Sequence, residues 1–317
     1  MTYHWKSMLI SGLIVAGLVV LPIVVNLGSN INNLLILMFV YVALAQSFNV
    51  IGGMALQIHM GIAAFFGTSA FITHVLWQHG IPIYLAIPVG TMASMALSVV
   101  IGLPTLRLRG MYFAIGTLAL AETLRIVVSN VWPLTIYMPV SFSVNFTFPP
   151  RYYSSLAVAV FSCLVIAAIR NSKLGLALVS MGDDQDAAQV TGVNLFKYKV
   201  TALVISSMLA GLSGGVYCYF RVNINPSYLF VPLWSFEPIV ATAIGGMGSL
   251  VGPVIGSFIL VILSDIFALV LGEAHFIIFG ILFILVVLYY PYGLMGLFHK
   301  IRLLVSRPAF RRAVAER

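Results

Sequence analysis

Long apolar runs joined by short polar stretches dominate the chain. A helix needs about 20 mainly apolar residues to cross a bilayer. By that measure about ten segments qualify: 8–26, 31–51, 58–77, 81–103, 111–131, 152–170, 199–220, 236–248, 252–271 and 275–291. The predicted fold is an all-α polytopic integral membrane protein, with residues 1–317 forming one transmembrane domain. The third and eighth runs are the weakest. The eighth is short and ends in glycines, so 236–271 reads either as two spans or as a broken, re-entrant helix pair. Irregular backbone at membrane depth is tolerated where protein or a water-filled cavity covers it. Lys6 precedes the first run, but no small-x-small cleavage site follows it. That run therefore reads as a retained span, not a leader.

Composition agrees. Apolar residues make up 61% of the chain and charged residues 8%, whereas a soluble domain carries roughly 25% charged residues. The net charge of +8 does not point to nucleic acid. Its basic residues are scattered over joints and a tail, as topology determinants are. With ten spans, Lys6, Arg107, Arg109, Arg170, Lys173, Lys197, Lys199 and the basic tail at 296–317 fall on one face. The 132–150 joint on the other face has neither Lys nor Arg; it is rich in proline and aromatics, which suit a cap at the outer interface. Excess Lys and Arg mark the cytoplasmic side. Both termini and the 171–199 loop are thereby expected in the cytoplasm. Cys163 and Cys218 fall inside apolar runs and read as packing residues.

The 171–199 loop holds Asp183, Asp184 and Asp186, three of the eight carboxylates of the chain. Ser180 followed by Asp183 resembles a helix start, and Asp184 and Asp186 add negative charge to the first turn. Ala187 and Ala188 then offer a small face, and Gly192 is a natural stop. The predicted helix covers 182–191 and is roughly 13–15 Å long. It reads either as a docking knob for a soluble partner or as a solvated linker.

Within the runs few residues carry chemistry. Glu122 and Arg125 are three apart in one span and able to pair. An intramembrane carboxylate costs about 2.5–3.5 kcal/mol at the centre of a bilayer. The pair reads as structural, or as part of a solute path. Asp265 is the other expected buried carboxylate. Glu237 is expected near the outer face, free to meet a soluble protein there. Gly52-Gly53-Met54 and Gly245-Gly246-Met247 form a weak internal echo.

Four stretches stand out as motifs. The first is Ser172, Gly175, Ala177, Leu178, Ala187, Ala188, Gly192, Val193, Tyr198 and Lys199, with Ile205-Ser206 and Leu209-Ala210-Gly211-Leu212. The second is Leu106-Arg107-Leu108-Arg109-Gly110-Met111-Tyr112-Phe113-Ala114 with Thr117 and Glu122. The third is Gly53 to Gly67, and the fourth is Gly245-Gly246-Met247-Gly248 with Gly252-Pro253 and Gly256. Together they resemble the permease family of branched-chain amino acid ABC importers, and within it the LivM type.

The resemblance implies that Gly175, Asp183, Asp184, Asp186, Ala187, Ala188 and Gly192 dock an ATPase. It offers His59, Thr117, Glu122, Gly245, Gly246 and Gly248 as path residues, the bland alternative being helix packing. The family usually carries basic residues where this chain has Leu176, Val179 and Gly182. His59 stands where a serine is usual, and Ile62 where a histidine is usual. The implied partners are a second permease, two ATP-binding-cassette ATPase subunits and a periplasmic binding protein, in a bacterial inner membrane. The implied cargo is a branched-chain or other small amino acid, with urea or a short amide second.

The chain has no G-x-x-x-x-G-K-[ST] phosphate loop, so ATP and any cofactor are expected on separate subunits. An ion-coupled secondary transporter is the rival class; its coupling sites are built from carboxylates or broken helices at the midplane, and the two expected buried carboxylates, Glu122 and Asp265, have no acidic partner nearby. No constellation for an enzyme stands out.

Overall fold

The computed structural model describes residues 12–13, 15–22, 28–137, 148–221, 223–271, 280–281 and 293–296. The helices are α1 Ser29–Phe48, α2 Ile62–Gln78, α3 Ile83–Thr105, α4 Met111–Val131, α5 Phe148–Arg170, α6 Lys173–Asp183, α7 Gln185–Val190, α8 Leu195–Arg221, the single turn α9 Pro226–Leu229, α10 Leu233–Gly245 and α11 Gly252–Leu271. A π-helical turn, Asn49–Gly53, extends α1. Among the described residues there is no strand, only an isolated bridge between Ile136 and Ile224.

Seven of these stretches are long and apolar enough to cross a membrane, and Ile62–Gln78 is a shorter apolar helix. The chain is an all-α integral membrane protein. Of the expected first span, 8–26, residues 12–13 and 15–22 are described and helical; of the tenth, 275–291, only 280–281 are described, and most of the tail at 296–317 lies outside the described residues, so the count of ten is not established. The third expected span begins at Ile62, because 54–61 is not helical. The eighth is preceded by α9, and the stretch Pro226–Gly245 has the length to cross.

Helices α2, α3 and α8 pack on one another, and α1 lies between α8, α5 and the α10–α11 pair. Burial follows that order: 78% of the central window of α1 is buried against 28% for both α4 and α11. The exposed faces of α4 and α11 are therefore the ones left for lipid or a second subunit. Apolar burial gives little drive between helices already in lipid, so close packing and interhelical hydrogen bonds must hold them. The buried serines supply such bonds. Ser47 Oγ donates to Ser206 O at 2.9 Å, Ser94 Oγ to Ser207 O at 3.0 Å, and Ser213 Oγ to Val40 O at 3.0 Å. Each satisfies a hydroxyl that lipid would leave unpaired.

Helices α10 and α11 do form a broken pair. The break at 246–251 is held by two amides on the α1 side. Asn49, fully buried, donates from Nδ2 to Ser249 O at 2.8 Å and accepts from Gly248 N at 2.9 Å. Its Nδ2 also reaches Gln46 Oε1 at 3.1 Å, and Gln46 Nε2 donates to Leu250 O at 2.8 Å. Gly53, in the first of the two echoing triplets, packs against Gly248, just past the second. Pro253 sits in the first turn of α11, where no N–H is needed.

Candidate functional site

The polar loop between α5 and α8 folds as two helices, not the single one expected over 182–191. Ser172 caps α6, accepting from Gly175 N, and α6 runs on through Asp183. Asp184 is extended, with φ −157° and ψ 115°, and breaks the helix. Its Oδ1 then accepts from Asp186 N at 2.9 Å and Ala187 N at 3.1 Å, so it is the true cap of α7. The sequence reading placed the start at Ser180 and Asp183. Ser180 instead bonds back to Ala177 O within α6, and Asp183 ends that helix. A short side chain that takes orphan N–H groups suits the start of a helix, and both carboxylates compete for that place. The backbone settles it at Asp184. Gly192, at φ +90°, closes the element.

The candidate docking residues do not share one surface. Asp183, Asp184, Asp186, Ala187 and Gly192 are exposed. Ala188 is not: it is 3% exposed and belongs to the main core cluster. Gly175 is also inside; a Cβ there would lie 2.3 Å from Ile169 O. Gly175 and Ala188 therefore seat the loop on the bundle, while the others face outward. Sequence reasoning missed three outward apolar residues, Leu176, Val179 and Val190, which are 74%, 50% and 89% exposed. Apolar side chains standing free beside carboxylates make an amphipathic surface of the kind that a protein partner covers. The spacing of Leu176 and Val179 on α6 was the available signal.

Arg109 holds this element from the neighbouring loop. Its Nη1 lies 3.0 Å from Asp186 Oδ1, with both side chains well exposed. Gly110, at φ +56°, makes the sharp turn that delivers Arg109 there before α4 begins. From the other side Lys199 Nζ donates to Gln185 Oε1 at 3.0 Å. An exposed ion pair of this sort adds at most about 1 kcal/mol, so its role is positional.

The residues offered for a path are mostly engaged in packing. Thr117 is 2% exposed; its Oγ1 accepts from Met60 N at 3.1 Å and donates to Phe113 O at 2.9 Å. His59 is 1% exposed, stacked on Phe65 at 5.5 Å. It lines a gap with Gly61, Ala64, Thr117 and Leu203 that is too narrow for water. Gly245 and Gly246 are buried, and a Cβ on Gly245 would lie 1.8 Å from Gly252 O. Gly248 gives its N–H to Asn49. The N–H groups freed by the helix break thus turn to side chains of the fold.

Glu122 and Arg125 do pair. Arg125 Nε lies 2.9 Å from both Glu122 carboxylate oxygens, and Nη2 adds a further contact to Oε1. Both side chains are 35% exposed on the open face of α4. The pair is thus half-buried, not enclosed. Glu122→Gln is expected to lower the stability of the purified chain by about 1 kcal/mol or less. Adding Arg125→Gln should recover part of that loss in a thermal melt; no recovery would mean that the two do not couple.

Among the described residues the enclosed carboxylate is Glu237, 8% exposed, which accepts a hydrogen bond from Tyr41 OH. Tyr41 stacks on Trp234 at 5.7 Å, and Trp234 on Phe66 at 4.3 Å. Glu237 is therefore not available at the outer surface, contrary to the sequence reading, whereas Asp265 is exposed. The reversal has a simple cause: α10 turns Glu237 toward α1, and no local pattern specified that face.

Comparison with known proteins bears directly on this arrangement. Two LivM proteins, named as high-affinity branched-chain amino acid transport system permease proteins, come from Salmonella typhimurium and Escherichia coli K12. Each is 26% identical over 329 residues, covering 93% of this chain and 76% of the relative. LivH of Escherichia coli K12 is 29% identical over 146 residues, covering 46% of this chain and 44% of its own length. No solved structure matches significantly. Residues 30–287, which include the Asn49 knot, the α6–α7 loop and the broken pair, match the family described as branched-chain amino acid transport system / permease component. The chain belongs to that family.

Proposed function

We propose that this chain is the LivM-type half of an ATP-driven importer of branched-chain amino acids. A related LivH-like permease forms the other half of the pathway. Two ATPase subunits bind the cytoplasmic face, one of them on the α6–α7 surface of this chain, and a binding protein delivers the solute from the periplasm. Both termini lie in the cytoplasm of a bacterial inner membrane. ATP is consumed by the partners, and this chain needs no cofactor and catalyses no reaction. The observation that carries this reading is the α6–α7 element itself. It is an exposed helix pair with free apolar residues, clamped by Arg109, in a chain whose relatives are named as permeases.

The test uses the exposed residues alone. Ala187→Trp combined with Val190→Asp should reduce ATPase pull-down about tenfold or more, as expected when an interface anchor is lost. Membrane insertion and yield should stay at the parent level, because neither side chain serves the core. Ala188→Trp should instead depress yield, since that position is inside. Wild-type pull-down by the Ala187→Trp, Val190→Asp chain would overturn the docking assignment.

A further inference from the structure

The backbone between the π-turn and α2, residues 54–61, has no regular secondary structure. It alternates like a strand. Leu56 and Ile58 point outward, 59% and 50% exposed, while Gln57 and His59 point inward, 3% and 1% exposed. Leu56 has φ +48°, the one left-handed non-glycine residue among the described residues. A branched side chain there is strained, and such strain persists only where the surroundings enforce it. Neither Gln57 Nε2 nor His59 Nδ1 has a hydrogen-bond partner among the described residues. Both are sealed from solvent, so this arrangement leaves polar groups unsatisfied that another arrangement would satisfy.

The segment is fixed at both ends. Upstream, Ala55 N and Gln57 N bond to Ile51 O at 3.1 and 3.3 Å, and Asn49 anchors the π-turn to the α10–α11 break. Downstream, Met60 N is held by Thr117 and Ala63 N by Ser235 Oγ at 2.9 Å. Between them the C-terminal turn of α6 lies against the segment. A Cβ on Gly182 would lie 2.9 Å from Met54 O, 3.2 Å from Ala55 C and 3.3 Å from Leu56 Cγ. Two residues later the chain reaches Asp184, the cap of α7. The surface offered to the ATPase and the strained segment are therefore in backbone contact through Gly182.

We propose that 54–61 is a gating segment, and that Gly182 and Leu56 are the positioning residues that couple it to the ATPase. This rests on the docking reading above. A push on α6–α7 meets Met54–Leu56 directly, with no side chain in between to absorb it. Relaxing Leu56 from its left-handed conformation swings Ile58 and His59, which are two and three residues on. His59 then leaves the gap it fills with Phe65, Thr117 and Leu203, and the gap opens to water. Two discrete arrangements of one short segment, biased from outside, are what a switch of this kind requires. Gln57 and His59 gain partners in the hydrated arrangement, which keeps the two close in energy.

The experiment uses the assembled transporter in lipid nanodiscs. Ile58→Cys is labelled with a maleimide, nucleotide-free and after trapping with ATP and vanadate, against the parent chain, whose Cys163 and Cys218 set the background. The two states are expected to differ in labelling rate by about tenfold. Gly182→Val should abolish that difference while ATPase pull-down stays at the parent level. Equal rates in the two states with Gly182 intact overturn the proposal, as does a difference that survives Gly182→Val. Should Gly182→Val fail to assemble, Leu56→Gly removes the strain without filling space. It should keep ATP hydrolysis while uptake per ATP falls about tenfold; unchanged uptake per ATP overturns the proposal. If Ala187→Trp, Val190→Asp leaves pull-down intact, the docking reading itself has failed, and the gate's link to it fails with it.

Discussion

An Asn49→Leu chain is expected to lose most of its folded yield in detergent, although leucine has the same branching as asparagine and suits the membrane. Asn49 is fully buried and satisfies the 246–251 break from both its amide atoms. Leucine would leave Gly248 N and Ser249 O without these partners and free Gln46 Oε1 as well. Each buried polar group so stranded costs about 1–3 kcal/mol in a water-soluble protein, and interhelical bonds in membranes average nearer 0.6 kcal/mol. Three contacts together place the loss at about 2–5 kcal/mol, a large share of the stability of a typical domain. The yield is read by fluorescence-detected size-exclusion chromatography. A leucine chain as monodisperse and abundant as the parent would show that the break closes without Asn49.

The second large effect is expected at Gly256. A single methyl group there would lie 1.8 Å from Ala241 O and 3.0 Å from Gly245 N. The obstacle is backbone, so no rotamer change relieves it. Gly256→Ala must push α11 off α10, at a cost above the roughly 1–3 kcal/mol typical of overpacking. The expected outcome is loss of a protease-resistant folded species. Gly280→Ala is the control, because nothing lies within 4 Å of a Cβ there. Comparable protease resistance for Gly256→Ala and the control would mean that the α10–α11 contact is looser than the structure shows.

These two positions also show how differently sequence and structure carry information. Gly256 stood out in the sequence, since glycines at 248, 252 and 256 are spaced to let backbones meet. Asn49 did not stand out. It is one amide at the end of an apolar run, and its partners lie 199 and 200 residues away. The same divide runs through the docking loop. The acidic cluster and Gly192 were visible as a local pattern. That Ala187 faces out while Ala188 faces in was not, because it depends on how α7 is seated against the core.

The sequence by itself determined what is local or compositional. Long apolar runs must become helices in lipid, where backbone groups have no other partner. The positions of most described spans, the turn at Gly110, the Pro253 start of α11, the Glu122–Arg125 pair and the family resemblance all follow from residues near one another in the chain. Tertiary structure alone decided which side of each helix is covered. It buried Glu237 against Tyr41, filled the His59 gap, moved the cap from Ser180 and Asp183 to Asp184, and set Gly182 against Met54–Leu56. The physical reason is that a fully apolar helix has no amphipathic stripe to mark its inner face. Without that stripe, orientation is fixed only by close packing and hydrogen bonds between residues far apart in sequence.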